Sequence, residues 1–202
     1  MAGFTSMTTS DEHFYGDDWA LDEFEKRTFE RCRFDEVDLT EAVLTGCAFV
    51  ECELANVRFN AAVLTRTAFL HCTIRRSVFF GATFEDCKLT GTTFSECEMR
   101  PLDIRGGDWS FVVLRGQKLA DVRLAGVRLK EADLTDADLS NCDLSGADLS
   151  YAHVANAVFR GADLRRATLD GVNLNALDFT GARVDLAQAA LIAEARGAIV
   201  DP

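Results

Sequence analysis

Seven cysteines, three histidines and a series of aspartates are the side chains with the most obvious chemical potential in this sequence. Thiolates at close, paired spacing would hold zinc, and a thiol or hydroxyl served by a histidine would be a nucleophile. Clustered carboxylates would instead attract a cation or a basic surface. The first two readings fail on spacing. Cys32, Cys47, Cys52, Cys72, Cys87, Cys97 and Cys142 are odd in number and separated by multiples of five, which is no zinc or disulfide framework. His13, His71 and His153 are scattered, and no Ser–His–Asp or Cys–His constellation is legible around them. There is no glycine-rich phosphate loop. No catalytic, metal-binding or cofactor-binding residue is assigned, and the chain reads as a protein that is not an enzyme.

The aspartates are more informative. Asp133, Asp136, Asp138, Asp143 and Asp148 fall in a stretch from Glu131 to Phe159 that contains six acids and no Lys or Arg. Asp163 and Asp178 continue the series at the same spacing. The formal charge is −12 and it is uneven. Residues 1–30 carry eight acids against two bases, residues 101–130 three against six, and residues 131–185 ten against four. An acidic surface repels phosphate, so direct binding to nucleic acid is excluded and a basic protein partner is favoured. The alternative is that the acids simply solvate a large apolar body.

What positions these residues is a period of five. Starting at Phe24 and stepping by five, every residue to Val184 is large and apolar, with Phe14 and Trp19 extending the series backwards. From Cys32 on, the side chain two residues earlier in each unit is small, and all seven cysteines fall at this place; Leu102, Gln117 and Leu177 are the exceptions. A period of five fits neither one straight helix nor one straight strand. Residues two apart on an extended backbone point to the same side, so the small and large residues both face inward with a polar residue between them facing out. The remaining two residues turn a corner, where Gly46, Gly81, Gly91 and others supply left-handed φ values cheaply. Cys32, Cys52 and Cys72 then stack as small core filler, and Trp109 is a core residue despite its size. Leu70, Phe80, Phe111 and Tyr151 are apolar at outward places.

The units Ala132–Asp136, Cys142–Gly146 and Ala147-Asp148-Leu149-Ser150 match A(D/N)LXX, and the chain resembles the pentapeptide-repeat family from about Phe24 to Val184. That resemblance implies an all-β, right-handed quadrilateral β-helix with four units per coil; the spacing alone leaves three sides open. Within the family the chain is similar to the MfpA-like fluoroquinolone-resistance branch, and more distantly to the Qnr branch. Cys97-Glu98-Met99-Arg100-Pro101-Leu102 resembles a mid-rod segment of that branch, as does Gly181–Asp185 leading into an alanine-rich helix. Unlike Qnr proteins, this chain has no loop that shifts the phase.

What this resemblance implies is a DNA-mimicking protein that binds DNA gyrase and inhibits it or shields it from quinolones. Asp133, Asp136, Asp138, Asp143, Asp148, Asp163 and Asp178 would face gyrase. A different protein partner bound by the same scaffold is the alternative. Eight coils give a rod of roughly 40 Å, and duplex DNA of that length carries about 23 charges. Mimicry would therefore rest on shape and on the acidic end.

Residues 14–184 form the expected repeat domain. Residues 1–13 are expected to be a flexible tail, and residues 185–202 a short helix and tail. Asp185 is the expected N-cap and Gly197 the expected stop. Leu186, Ala190, Leu191 and Ala193 are expected to make a homodimer interface, with a simple cap on the solenoid as the other reading. No stretch approaches the ~20 apolar residues of a membrane span, and no secretory signal is legible in residues 1–13. The cytoplasm is the expected location.

Overall fold

The computed structural model describes residues 7–175 and 177–200. Each five-residue unit makes one side of a coil, as its polarity pattern requires. The outward residue is flanked by the two inward ones, and the last residue takes a left-handed corner. Successive coils pair in parallel with a register of twenty residues: Thr8↔Thr28, His13↔Arg33, Asp18↔Asp38 and Glu23↔Val43 head the four sides. Twenty residues at five per side settle the question of three sides or four. The four rows are called here the first to fourth faces, and the first lies opposite the third.

The ladder is a repeated pair of hydrogen bonds. The outward residue donates to the coil before it, as from Arg58 N to Val37 O at 3.0 Å. The large inward residue donates to the coil after it, as from Phe59 N to Val78 O at 2.7 Å. The corner residue also donates forward, as from Glu41 N to Asn60 O at 2.7 Å. These bonds hold the corners against their strain. Most corners are not glycine: Leu21, Arg31, Glu51, Asn56, Phe111 and Tyr151 all have φ between +50° and +65°. Left-handed φ costs an ordinary residue about 1–2 kcal/mol, so glycine is the cheap choice at a corner and not the required one. Gly107 is different. It stands at an inward place with φ +104°, and a Cβ there would lie 2.3 Å from the Cys87 carbonyl oxygen.

The interior is continuous. Every large inward residue from Phe24 to Leu174 is buried, and Trp109 is fully enclosed. The twenty-residue register places like on like: Phe49 stacks on Phe69 at 4.7 Å and Phe59 on Phe79 at 4.8 Å, nearly parallel in both cases. The small inward places do more than leave room. Cys47 Sγ donates to Phe24 O at 3.4 Å, and Thr92 Oγ1 donates to Phe69 O at 2.9 Å. A thiol or hydroxyl there satisfies carbonyls of the preceding coil that turn toward the core. All seven cysteines are free thiols, and burial pushes Cys87 up to about 11 and Cys142 up to about 12.

One boundary differs from expectation. The solenoid starts earlier than residue 14. Thr8–Ser10 and His13–Tyr15 are strands, because Thr28 and Arg33 donate to the Met7 and Glu12 carbonyls at 3.0 and 2.9 Å. Within the tail expected over 1–13, only residues 1–6 lie outside the described residues. At the other end the helix is Leu186–Ala195, N-capped by Asp185, whose carboxylate accepts from the Ala187 and Gln188 amides. Gln188 completes a capping box and is itself buried, donating to Ala167 O at 2.9 Å. Arg196 donates to Leu177 O at 3.1 Å. The helix thus covers carbonyls that no further coil would reach, as a solenoid end demands.

Replacing Phe69, stacked and fully buried, by Ala is expected to destabilise the fold by about 3–5 kcal/mol, read from the midpoint of urea unfolding.

Candidate partner-binding surface

The outward place between a small and a large residue is where the aspartates stand, and the backbone gives them local work. Asp138 Oδ1 accepts from the Ser140 amide at 3.0 Å, Asp143 from Ser145 at 3.0 Å, and Asp148 from Ser150 at 3.0 Å. Asp133 accepts from Thr135, Asp163 from Arg165 and Asp178 from Thr180 in the same way. Each carboxylate bridges its own turn two residues on, an Asx turn. Asp136, at a corner, accepts from Asn156 Nδ2 at 2.9 Å. The aspartates therefore shape the corners as well as charging the surface.

Their placement is a ring with an extension. Asp133, Asp138, Asp143 and Asp148 lie on the second, third, fourth and first faces of one coil. Asp163 pairs directly above Asp143, and Asp178 stands two coils above Asp138 through Val158. Bases blunt part of this set. Arg115 reaches Asp133 at 2.8 Å, Arg160 reaches Asp178 at 3.1 Å, and Arg165 clasps Asp163 at 2.5 Å. Sequence reasoning placed the acids but not these partners, which arrive from two or from eighteen residues away. Asp136, Asp138, Asp143 and Asp148 have no ion pair among the described residues.

Five of these carboxyl groups, those of Asp133, Asp138, Asp148, Asp163 and Asp178, are held below the usual carboxylate range. The Arg165 guanidinium, outweighing partial burial, pulls Asp163 down to about 2. Hydrogen bonds from Thr180, helped by Arg160, bring Asp178 to about 2. Asp138 is lowered chiefly by its bond from Ser140. In Asp133 and Asp148 burial works upward, and the turn hydrogen bonds outweigh it, so both end below the usual range. Such groups favour the folded state above about pH 4, and that contribution is lost as pH falls toward 2.

The four helix residues expected at a dimer interface do not share one free face. Leu186 is 90% exposed, whereas Leu191 packs against the chain's own core beside Ile192 and Ala195. Ala190 and Ala193 are half-buried. Leu191 is thus part of the cap, because the helix lies across the open end of the last coil.

Of the histidines, only His153 stands next to this ring, paired above Asp133. His13 bonds Asp35 at 2.9 Å at the first coil, and His71 lies over Gly91. His153 lines an open cleft of about 960 Å³ with Tyr151, Thr135 and Asn173. Among the described residues no three His, Cys, Asp or Glu side chains are placed to hold a metal ion. No helix among them is long and apolar enough to cross a membrane. Phe80, Phe111 and Tyr151 are indeed exposed, while Leu70 is half-buried.

Comparison with known proteins places this architecture. A model of the pentapeptide repeat region matches residues 22–93, and a model of eight pentapeptide repeats matches residues 110–146 and 147–185. The chain belongs to the pentapeptide-repeat family. This pentapeptide-repeat protein is 38% identical over 95 residues to the pentapeptide repeat protein MfpA of Mycobacterium tuberculosis, a match covering 47% of this chain and 41% of MfpA. The matched part is thus about two-fifths of the length of that curated relative. Its fold is similar to that of QnrB1, a plasmid-mediated fluoroquinolone resistance protein. The TM-score is 0.72 at 20% identity, over 96% of this chain and 100% of QnrB1. It is also similar in fold to HetL, involved in the regulation of heterocyst differentiation in the cyanobacterium Nostoc sp. strain PCC 7120. There the TM-score is 0.60 at 20% identity, over 90% of this chain and 88% of HetL.

The double role of the aspartates separates charge from shape. Asp138→Asn keeps the acceptor oxygen and is expected to leave the melting temperature within about a degree. Asp138→Ala loses the turn bond and is expected to cost about 1 kcal/mol. Thermal unfolding followed by circular dichroism distinguishes the two.

Proposed function

We propose that this pentapeptide-repeat protein is a DNA-shaped protein ligand of DNA gyrase, inhibiting supercoiling or protecting gyrase from quinolones. The observation that carries the proposal is a four-sided rod with unbroken phase that has one coil ringed by four aspartates. Its family likeness to MfpA and its fold likeness to QnrB1 support the same reading. A narrow rod can lie where a duplex segment would lie, and carboxylates can meet the basic side chains that otherwise contact phosphate. Asp136, Asp138, Asp143 and Asp148 carry most of the attraction, since none of them makes an ion pair among the described residues. Asp133, Asp163 and Asp178 contribute less, being paired. No catalytic step is involved, and the place of action is the cytoplasm.

A homodimer fits this role, doubling the rod end to end through its C-terminal caps. The contact then rests on Leu186 and Ile199, both 90% exposed, rather than on Leu191. A second reading is a scaffold for a different protein. The cleft beside the exposed Tyr151 favours it, because it runs from Asp133 at the edge of the ring to Asn173 and offers a mixed polar and aromatic surface.

The test is a gyrase supercoiling assay with the wild type and with Asp133, Asp138, Asp143 and Asp148 all changed to Asn. The wild type is expected to inhibit supercoiling or to reduce quinolone-induced cleavage, less strongly as salt rises. The Asn variant, which keeps its turns, is expected to be at least ~10-fold weaker. Equal potency of the two would reject the acidic ring. A wild type without effect, together with affinity capture of another protein through the Tyr151 cleft, would favour the scaffold.

A further inference from the structure

The ladder fails at one place in the middle of the rod. On the third face it runs Asp18–Asp38–Arg58–Val78–Glu98 and resumes as Lys118–Asp138–Val158–Asp178. Among the described residues no bridge joins Glu98 to Lys118. One coil earlier, Glu98 N donates to Ser77 O at 3.0 Å and Phe79 N donates to Glu98 O at 2.8 Å. The equivalent bonds, Lys118 N to Cys97 O and Met99 N to Lys118 O, are missing among the described residues. The corner bond from Glu96 N to Arg115 O is missing too. An open cleft of about 620 Å³ lies there, between Glu96, Glu98 and Arg100 on one lip and Arg115 and Lys118 on the other.

The opposite side is closed. On the first face Asp108 N donates to Cys87 O at 3.0 Å and Arg128 N to Gly107 O at 3.1 Å. On the second, Val113 N donates to Thr92 O and Phe94 N to Val113 O, both at 2.9 Å. The fourth face is intermediate: it keeps the Asp103↔Arg123 bridge and an Arg123–Asp103 ion pair at 2.7 Å, but the bonds from Arg123 N to Leu102 O and from Ile104 N to Arg123 O are missing among the described residues, and a cleft of about 290 Å³ lies at the Pro101 corner. A rod tied on one side and parted on the other bends about the tied side.

The cause lies in the same coil. Leu102 and Gln117 are large at inward places that are small elsewhere, and both are buried. Gly107 is pressed against the Cys87 backbone, and Trp109 brings an indole into a column of Leu and Phe from the first face, opposite the gap. Its buried Nε1 has no hydrogen-bond partner. Overfilling one level of a close-packed column pushes neighbouring levels apart where the ladder is weakest. The coils also change character here. Three-residue strands end with Asp103–Arg105, and later coils pair by single bridges.

From these observations we infer that the rod is hinged at the Glu98–Lys118 seam, opening on its third face while the first face acts as the pivot. The seam sets the angle between the acid-rich first coils and the aspartate ring. If the gyrase reading holds, the hinge lets both ends meet a curved surface; the hinge itself rests on the ladder alone.

Spin labels test it without any partner, in a Cys97→Ser background. One pair, Arg58→Cys with Val158→Cys, spans five coils on the third face. Another, Thr28→Cys with Arg128→Cys, spans five coils on the first. Both nominal separations are roughly 24 Å. The third-face pair is expected to give a distance distribution at least ~2-fold broader than the first-face pair. In an unlabelled protein, joining Glu98→Cys to Lys118→Cys by a disulfide is expected to slow amide exchange along the seam. Amide exchange at Met99 and Lys118 is expected to be at least ~10-fold faster than at Phe79 and Asp138, whose ladder bonds are made. Equal widths on the two faces, or equal protection of these four amides, would overturn the hinge.

Discussion

Backbone pairing between residues twenty apart is the constraint on which the molecule depends. Each coil alone buries almost nothing, because its inward side chains meet only across a narrow interior. Stacking gives the inward phenylalanines and leucines apolar neighbours in the adjacent coils, and it satisfies the backbone groups of each side. The strain of non-glycine corners such as Arg31 and Asn56 is accepted because the same corner amides bond the next coil. Local cost and long-range pairing are therefore coupled, coil by coil, and a fault in the pairing exposes both.

That coupling explains why the surface can vary while the frame does not. Asp138, Val158 and Arg58 occupy equivalent outward places on one face and share one backbone geometry. Charge can be written onto such a frame with little effect on folding, apart from the Asx bond that an aspartate adds to its own turn. The acidic ring is then a property of one coil, and its reach as a DNA-like surface is tempered by Arg115, Arg160 and Arg165. The two ends are finished differently. The C-terminal carbonyls are covered by the capping helix through Gln188 and Arg196, and the first coil places Glu12, Asp17 and Asp22 at inward places that hold small residues further along.

The inward series was legible in the sequence because burial needs a large residue at every fifth place, whatever the partner coil contains. The number of sides was not, since a period of five is compatible with more than one closure and only the twenty-residue register decides. The start of the solenoid was misplaced because Thr9, at a large inward place, is small and polar, so the first strand lacks the apolar mark. At the site, the aspartates were legible by spacing. Their arginine partners were not, because Arg115 and Asp133 come together only through the coil-to-coil stacking. Leu191 was read as a contact for a second copy, but helix periodicity cannot tell a partner's surface from the chain's own open end.

The register itself can be measured by deleting residues from the chain. Removing residues 128–147, one full coil, returns every following side chain to its own face. Removing residues 128–145 instead shifts the remaining inward series out of phase. Far-ultraviolet circular dichroism and thermal unfolding of the two proteins decide the matter. The twenty-residue deletion is expected to keep the β-solenoid spectrum and a cooperative transition, and the eighteen-residue deletion to lose the C-terminal part of both. Equal folding of the two variants would contradict the account.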